Sequence, residues 1–313
     1  MLGTTNCSRE AQSLSIGINA WPGYEFLYLA QEKGYYEEEG LEVRLVEFDS
    51  LSDCRRSFER GQIDGMGCSL VEVIQARDQS RMEPQVVRVV DYSNGADVIL
   101  AKEEITKGEE LRGARIGVEL ASLGIYVLAQ ALTAYGISLV DVTLVSMNQA
   151  TMEEAFRLGE LDAVVTYPPS SISLLRDLPV NQVFSTKEIP GEVVDVIAIE
   201  RQVVETKPHA VAKLLRAYEK ALDYAQQDPE DAYRIMAARE RISPEEFASA
   251  LTDGIKLVEA VAQHQYLESG GRIEGLARRV FEVLNESGNL SKSQPLTGIA
   301  TPRFYEQSLR END

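Results

Sequence analysis

The chain has 313 residues, 44% of them apolar, and a formal charge of −19. That length fits one large or two medium domains with real cores. The charge excludes a nucleic-acid binder, which needs a basic face, and argues against an anionic membrane surface.

In chain order, Ser13–Ala20 reads as a strand and Trp21-Pro22-Gly23-Tyr24 as a turn into a helix. Glu37–Glu39 reads as a solvated loop or helix end. Leu41–Phe48 alternates apolar and polar residues, as a strand with one buried face does. A helix at Ser52–Arg60, a strand at Ile63–Gly67, a helix at Leu70–Arg77 and a strand at Gln85–Tyr92 follow. After the turn Ser93-Asn94-Gly95, Ala96–Ala101 is a strand that crosses into a second lobe. That lobe holds a strand at Gly113–Val118, a helix to Tyr135, and Val142–Ser146, Thr151–Leu158 and Ala163–Tyr167 in the order of the first lobe. Ile172–Leu175 starts another helix, and Glu192–Glu200 is the return crossing. From Thr206 the chain reads as helices that cover the first lobe, with starts at Pro208, Asp228 and Ser243 and a further helix at Ile273–Asn285. A polar tail from Thr301 is expected to fray. The lobes are thus 13–96 with 197–300, and 97–196; residues 1–12 form a tether and 301–313 a tail.

One stretch occurs twice. Phe58–Gly67 and Phe156–Val165 match at Phe58/Phe156, Gly61/Gly159 and Asp64/Asp162, each pair 98 positions apart. Ser50-Leu51-Ser52-Asp53 and Thr151-Met152-Glu153-Glu154 precede the copies as capped helix starts. The Gly ends each helix as a left-handed cap. A unit of about a hundred residues present twice is right for two similar α/β lobes.

In open α/β sheets ligands bind beyond the carboxyl ends of the strands. The candidates are therefore Trp21, Tyr24, Ser50, Ser69, Asp91 and Tyr92 in the first lobe and Glu119, Ser122 and Tyr167 in the second, with Asp195 near the return crossing. Aromatics, hydroxyls and carboxylates make up the set; Arg, Lys and His do not occur in it. Helix starts can hold an anion through free amides, and the carboxylates can take an amine. A small zwitterion or an amine-bearing heterocycle fits better than a phosphate. Tyr167 stands either as a site wall or as a turn stiffener, and Glu119 and Asp91 either as ligand contacts or as solvated rim. Asp64 and Asp162 precede their strands and read as structural.

No catalytic, metal or phosphate-loop motif is present, so no cofactor and no metal are expected. Among Cys7, Cys54 and Cys68 there is no CxxC pair; Cys54 and Cys68 could pair. Cys7 lies in a polar start like that of a lipidated, exported protein, but Asn6 replaces the usual small residue and no apolar stretch precedes it.

The runs AWPGYEFLYLAQEKGYYEEEGLEV (Ala20–Val43), SFERGQIDGMG, RGARIGVELASLGIYVL (Arg112–Leu128) and LGELDAVVTYPP resemble the substrate-binding proteins of nitrate/sulfonate/taurine-type ABC importers, which overlap with the NMT1/THI5-like group. The resemblance covers Ser13 to about Tyr224. It implies a type-2 periplasmic binding protein fold, two α/β lobes on a two-strand hinge about Gly95–Ile99 and Val194–Ala198. It implies a monomeric receptor that closes on a small molecule and docks on a permease and its ATPase, in the periplasm or tethered outside the membrane. It assigns ligand contacts to Trp21, Ser69 and Ser122, with Ala121-Ser122 where Gly-Ser is common. The Cys-rich motif and His of THI5 enzymes are not matched here. A pyrimidine-precursor enzyme and a ligand sensor remain the alternatives.

Overall fold

The computed structural model describes residues 13–290 and 296–305; Cys7 lies outside them. The first part of the chain runs β1 (Ser13–Ile18), α1 (Glu25–Glu32), α2 (Tyr35–Glu38), β2 (Glu42–Glu47), α3 (Leu51–Glu59), β3 (Gly65–Ser69), α4 (Leu70–Gln79) and β4 (Pro84–Ser93). The middle runs β5 (Val98–Lys102), β6 (Arg115–Val118), α5 (Leu123–Ala134), β7 (Thr143–Ser146), α6 (Gln149–Arg157), β8 (Ala163–Thr166), α7 (Ser170–Asp177) and β9 (Val180–Ser185). The last part holds β10 (Val194–Glu200), α8 (Arg201–Thr206), α9 (Pro208–Gln227), α10 (Pro229–Glu240), α11 (Pro244–Asp253), β11 (Ile255–Leu257), α12 (Gln263–Leu267) and α13 (Arg272–Glu286).

Two sheets result. One has the order β11-β4-β10-β3-β1-β2, the other β7-β6-β8-β5-β9. In each, three parallel strands meet an antiparallel one, β10 against β3 and β5 against β8. Each antiparallel strand follows a crossing between lobes, which makes this the type-2 periplasmic binding protein fold. β3 is buried throughout, as expected of a strand covered on both faces. β2, at a sheet edge, keeps Glu42, Arg44 and Glu47 exposed.

The sequence repeat has one structural cause. Asp64 takes the Ser15 amide on Oδ2 at 2.7 Å, and Asp162 takes the Arg115 amide at 2.9 Å. Their own amides return to the Ser15 and Arg115 carbonyls at 2.8 and 2.9 Å. Each carboxylate thus sets the register of two parallel strands where they begin. Gly61 and Gly159 have φ of 67° and 76°, the left-handed values that favour glycine after a helix.

Several expectations need correction. The second copy's helix is capped by Asn148, which accepts the Thr151 amide at 3.0 Å; Thr151 lies inside the helix. Val194, Asp195 and Val196 already pair within the first sheet, so the return connection lies at 186–193, ahead of the expected boundary. There Ser93 and Thr186 join the two crossings, hydroxyl to hydroxyl, at 2.7 Å. α13 packs on both α4 and α5, one helix from each lobe, so the C-terminal helices do not cover the first lobe alone. The start of the tail is held: the Thr301 amide donates to the Val86 carbonyl at 3.0 Å, and the buried Tyr305 hydroxyl accepts from Arg88 at 2.8 Å. Cys54 and Cys68 are free and buried.

Candidate ligand-binding cleft

Residues just beyond the strands of one lobe touch those of the other. Trp21, after β1, is buried; its indole N–H donates to Asp91 Oδ2 at 3.1 Å. Its ring meets Tyr167 of the other lobe edge-on, centroids 6.1 Å apart. Tyr24 lies 6.4 Å from the Trp21 ring, and its hydroxyl donates to Asp195. Asp91 and Asp195 are cross-strand partners on β4 and β10. Gly23 permits this packing, since a Cβ there would sit 2.0 Å from Asp91 Oδ2.

A second cluster forms around Glu72 in the first turn of α4. The Ser69 hydroxyl donates to its Oε2 at 2.5 Å. Across the cleft the Ser122 hydroxyl and the Leu123 amide donate to Oε1 at 2.6 and 2.9 Å. Ser122 makes no side-chain cap of its own on α5; the carboxylate from the other lobe satisfies that helix end. Glu119, after β6, accepts from Ser52 at 3.0 Å and from Gln149 at 3.4 Å. Ser50 caps α3 through the Asp53 amide at 3.2 Å and lies 3.1 Å from Ser52. Arg55 donates to the Ala121 carbonyl at 3.3 Å, while its charge meets Glu59. These bonds between lobes define a closed arrangement.

The electrostatics are one-sided. Glu72, Asp91, Asp97, Glu119 and Asp195 are each at most 4% exposed. None of the five takes a hydrogen bond or an ion pair from Arg or Lys among the described residues. Burial pushes the Asp91 and Asp195 carboxyls upward, and their proximity adds to it at Asp195. Burial raises Asp97 and Glu119 to about 7, and the charge of Glu72 contributes to both. A cation placed among them would reverse this shift. A cavity of about 320 Å³ opens at the rim, lined in part by Asn19, Asp49, Gln149, Tyr167, Pro168 and Glu240, a size suited to a small molecule. No group of His, Cys, Asp and Glu among the described residues is arranged to hold a metal ion.

Nine of the ten candidates read from sequence converge here: Trp21, Tyr24, Ser50, Ser69, Asp91, Glu119, Ser122, Tyr167 and Asp195. Tyr92 does not. It lines a separate groove with Tyr266, Arg272 and Arg279, because successive strand side chains point to opposite faces and Asp91 takes the cleft side. Sequence reasoning missed Glu72, Ser52, Asp97, Gln149 and Arg55. Ser69-x-x-Glu72 carried a signal, a helix start of the Ser-x-x-Glu kind, but the Glu72 carboxylate turns to the other lobe.

A model of the NMT1/THI5-like family matches residues 21–232. The chain belongs to the NMT1/THI5-like family. It is 23% identical over 234 residues to the 4-amino-5-hydroxymethyl-2-methylpyrimidine phosphate synthase of Aspergillus parasiticus, covering 69% of this chain and 66% of that protein, just under two thirds. It is 25% identical over 225 residues to the taurine-binding periplasmic protein of Escherichia coli K12, covering 70% of this chain and 67% of that one. In structure this NMT1/THI5-like protein is similar to the alkanesulfonate-binding protein SsuA of Xanthomonas axonopodis pv. citri bound to MOPS. The TM-score is 0.77 at 17% identity, over 90% of this chain and 95% of that one.

Proposed function

We propose that this NMT1/THI5-like protein is the solute receptor of an ABC import system, and that its ligand carries an amine or another protonated nitrogen. The observation that carries the reading is the set of four buried carboxyls, Asp91, Asp97, Glu119 and Asp195, that take no bond from Arg or Lys among the described residues. Burying an unpaired charge is costly, so such carboxyls take up protons unless a cation arrives. Trp21 and Tyr167 add aromatic walls from opposite lobes, which suits a flat ring, as in an aminopyrimidine. A sulfonate would meet like charge here.

The lobes open and close about the crossings at 93–98 and 186–193, a hinge motion. The closed form then docks on a permease and its ATPase from outside the membrane. An enzyme on the same fold is the second reading, favoured by the relative named as a pyrimidine phosphate synthase.

A thermal-shift screen tests this, with 4-amino-5-hydroxymethyl-2-methylpyrimidine, simple amines, taurine, ethanesulfonate and nitrate. A ligand of the folded state adds about 2.7 kcal/mol at a hundredfold excess over Kd. An amine that raises Tm and is recovered unchanged supports the receptor. A shift with sulfonates or nitrate alone overturns the ligand class, and a consumed amine favours the enzyme.

A further inference from the structure

The amino end of α5 is where an anionic ligand would bind by ordinary physics. Its free amides and the positive end of its dipole face the cleft, and two hydroxyls, Ser69 and Ser122, converge on the same point from opposite lobes. That point is filled. The Glu72 carboxylate accepts from Ser69 at 2.5 Å, Ser122 at 2.6 Å and the Leu123 amide at 2.9 Å, and Glu72 is fully buried.

We propose that Glu72 is a specificity-determining residue: a built-in anion that seats on α5 when the lobes close and so bars ligands with an anionic head group. Glu72 rides on α4 in one lobe, and Ser122 and Leu123 open α5 in the other, so the carboxylate reaches its seat only on closure. A sulfonate entering the cleft has two options. It displaces Glu72 and leaves a buried carboxylate without donors, or it sits beside Glu72 as a second buried negative charge. Both are unfavourable. The neighbouring carboxyls already feel the charge of Glu72, which contributes to the upward push on Asp97, Glu119 and Asp195. Ser69 and Ser122, assigned to the ligand by sequence resemblance, instead hold this internal carboxylate.

The inference deepens the reading of the cleft as a cation site, but the two fail separately. Amine binding by the natural protein tests the one, and anion binding by Glu72 variants tests the other. The experiment is calorimetric titration of ethanesulfonate into the natural protein, Glu72→Ala and Glu72→Gln. Glu72→Gln keeps the side-chain volume while removing the charge, and the melting transition of each variant establishes that it is folded. The natural protein is expected to give no binding up to about 10 mM ethanesulfonate, and each folded variant to bind it at about 1 mM or tighter, at least a tenfold gain. Ethanesulfonate binding to the natural protein as tight as to the variants would overturn the proposal. So would a folded variant that gains no affinity.

Discussion

Asp91 and Asp195 stand directly opposite each other on β4 and β10, the first holding the Trp21 indole and the second the Tyr24 hydroxyl. Two carboxyls in one buried site do not ionise together without a cation. The aromatic wall of the cleft is therefore anchored on an acid pair whose charge depends on what enters.

Stability should fall with rising pH. Carboxyls with raised folded pKa values bind more protons in the folded than in the unfolded chain, so their contribution is full below about pH 4 and is lost as pH rises through the folded values. For Asp97 and Glu119 those are about 7. The Tm of the protein without added ligand should drop between about pH 5 and pH 8, by at least roughly 2–4 °C. Asp195→Asn should flatten the drop. A Tm that rises over this window contradicts the assignment.

Amine binding should carry the opposite dependence. The carboxyls must ionise to receive a cation, so affinity for a simple alkylamine, which stays protonated throughout, should weaken as pH falls from about 7.5 to 5, up to roughly tenfold per unit. Calorimetry in buffers of different ionisation enthalpy reads the protons released. An affinity independent of pH would show that the carboxyls do not meet the ligand.

Gly23→Ala should disturb the acid pair. The added Cβ would lie 2.0 Å from Asp91 Oδ2 and 2.8 Å from Val90 Cγ1, which costs about 1–3 kcal/mol as overpacking. Denaturant unfolding checks the stability loss, and a fully stable variant would contradict the packing.

Trp21→Ala should weaken ligand binding at least roughly tenfold, about 1.4 kcal/mol. Asp64→Ala should cost about 1–3 kcal/mol of stability by leaving a part-buried strand amide unpaired, and Asp162→Ala, where water reaches the Arg115 amide, about 0.5–1.5 kcal/mol, with ligand affinity unchanged. Altered affinity in either Asp variant, or an unchanged affinity at Trp21→Ala, would reverse the roles given to these residues.

Much of the fold was legible because its signals are local. The copies at Phe58 and Phe156 carry the helix, the left-handed glycine and the strand-starting aspartate within ten residues, and all three recur in space. The strand-end rule gathered most of the cleft. What was not legible depends on partners far away in sequence. Glu72 acquires its role from Ser122, fifty positions on, and no local pattern announces that pairing. Tyr92 was misplaced because the face a residue takes at a strand end depends on the parity of the strand, which its position alone does not give. β11, with three residues, and β9, with Asn181 and Gln182 inside it, carry too little apolar pattern to read as strands.

Trp21 is the single tryptophan of the chain and sits against Asp91 in the cleft, so its fluorescence reports the site directly. The most direct test is a fluorescence titration of the natural protein with 4-amino-5-hydroxymethyl-2-methylpyrimidine and, side by side, with ethanesulfonate. A saturable change with the aminopyrimidine and none with ethanesulfonate is the predicted result. A saturable change with ethanesulfonate and none with the aminopyrimidine would contradict a cleft built for a cation.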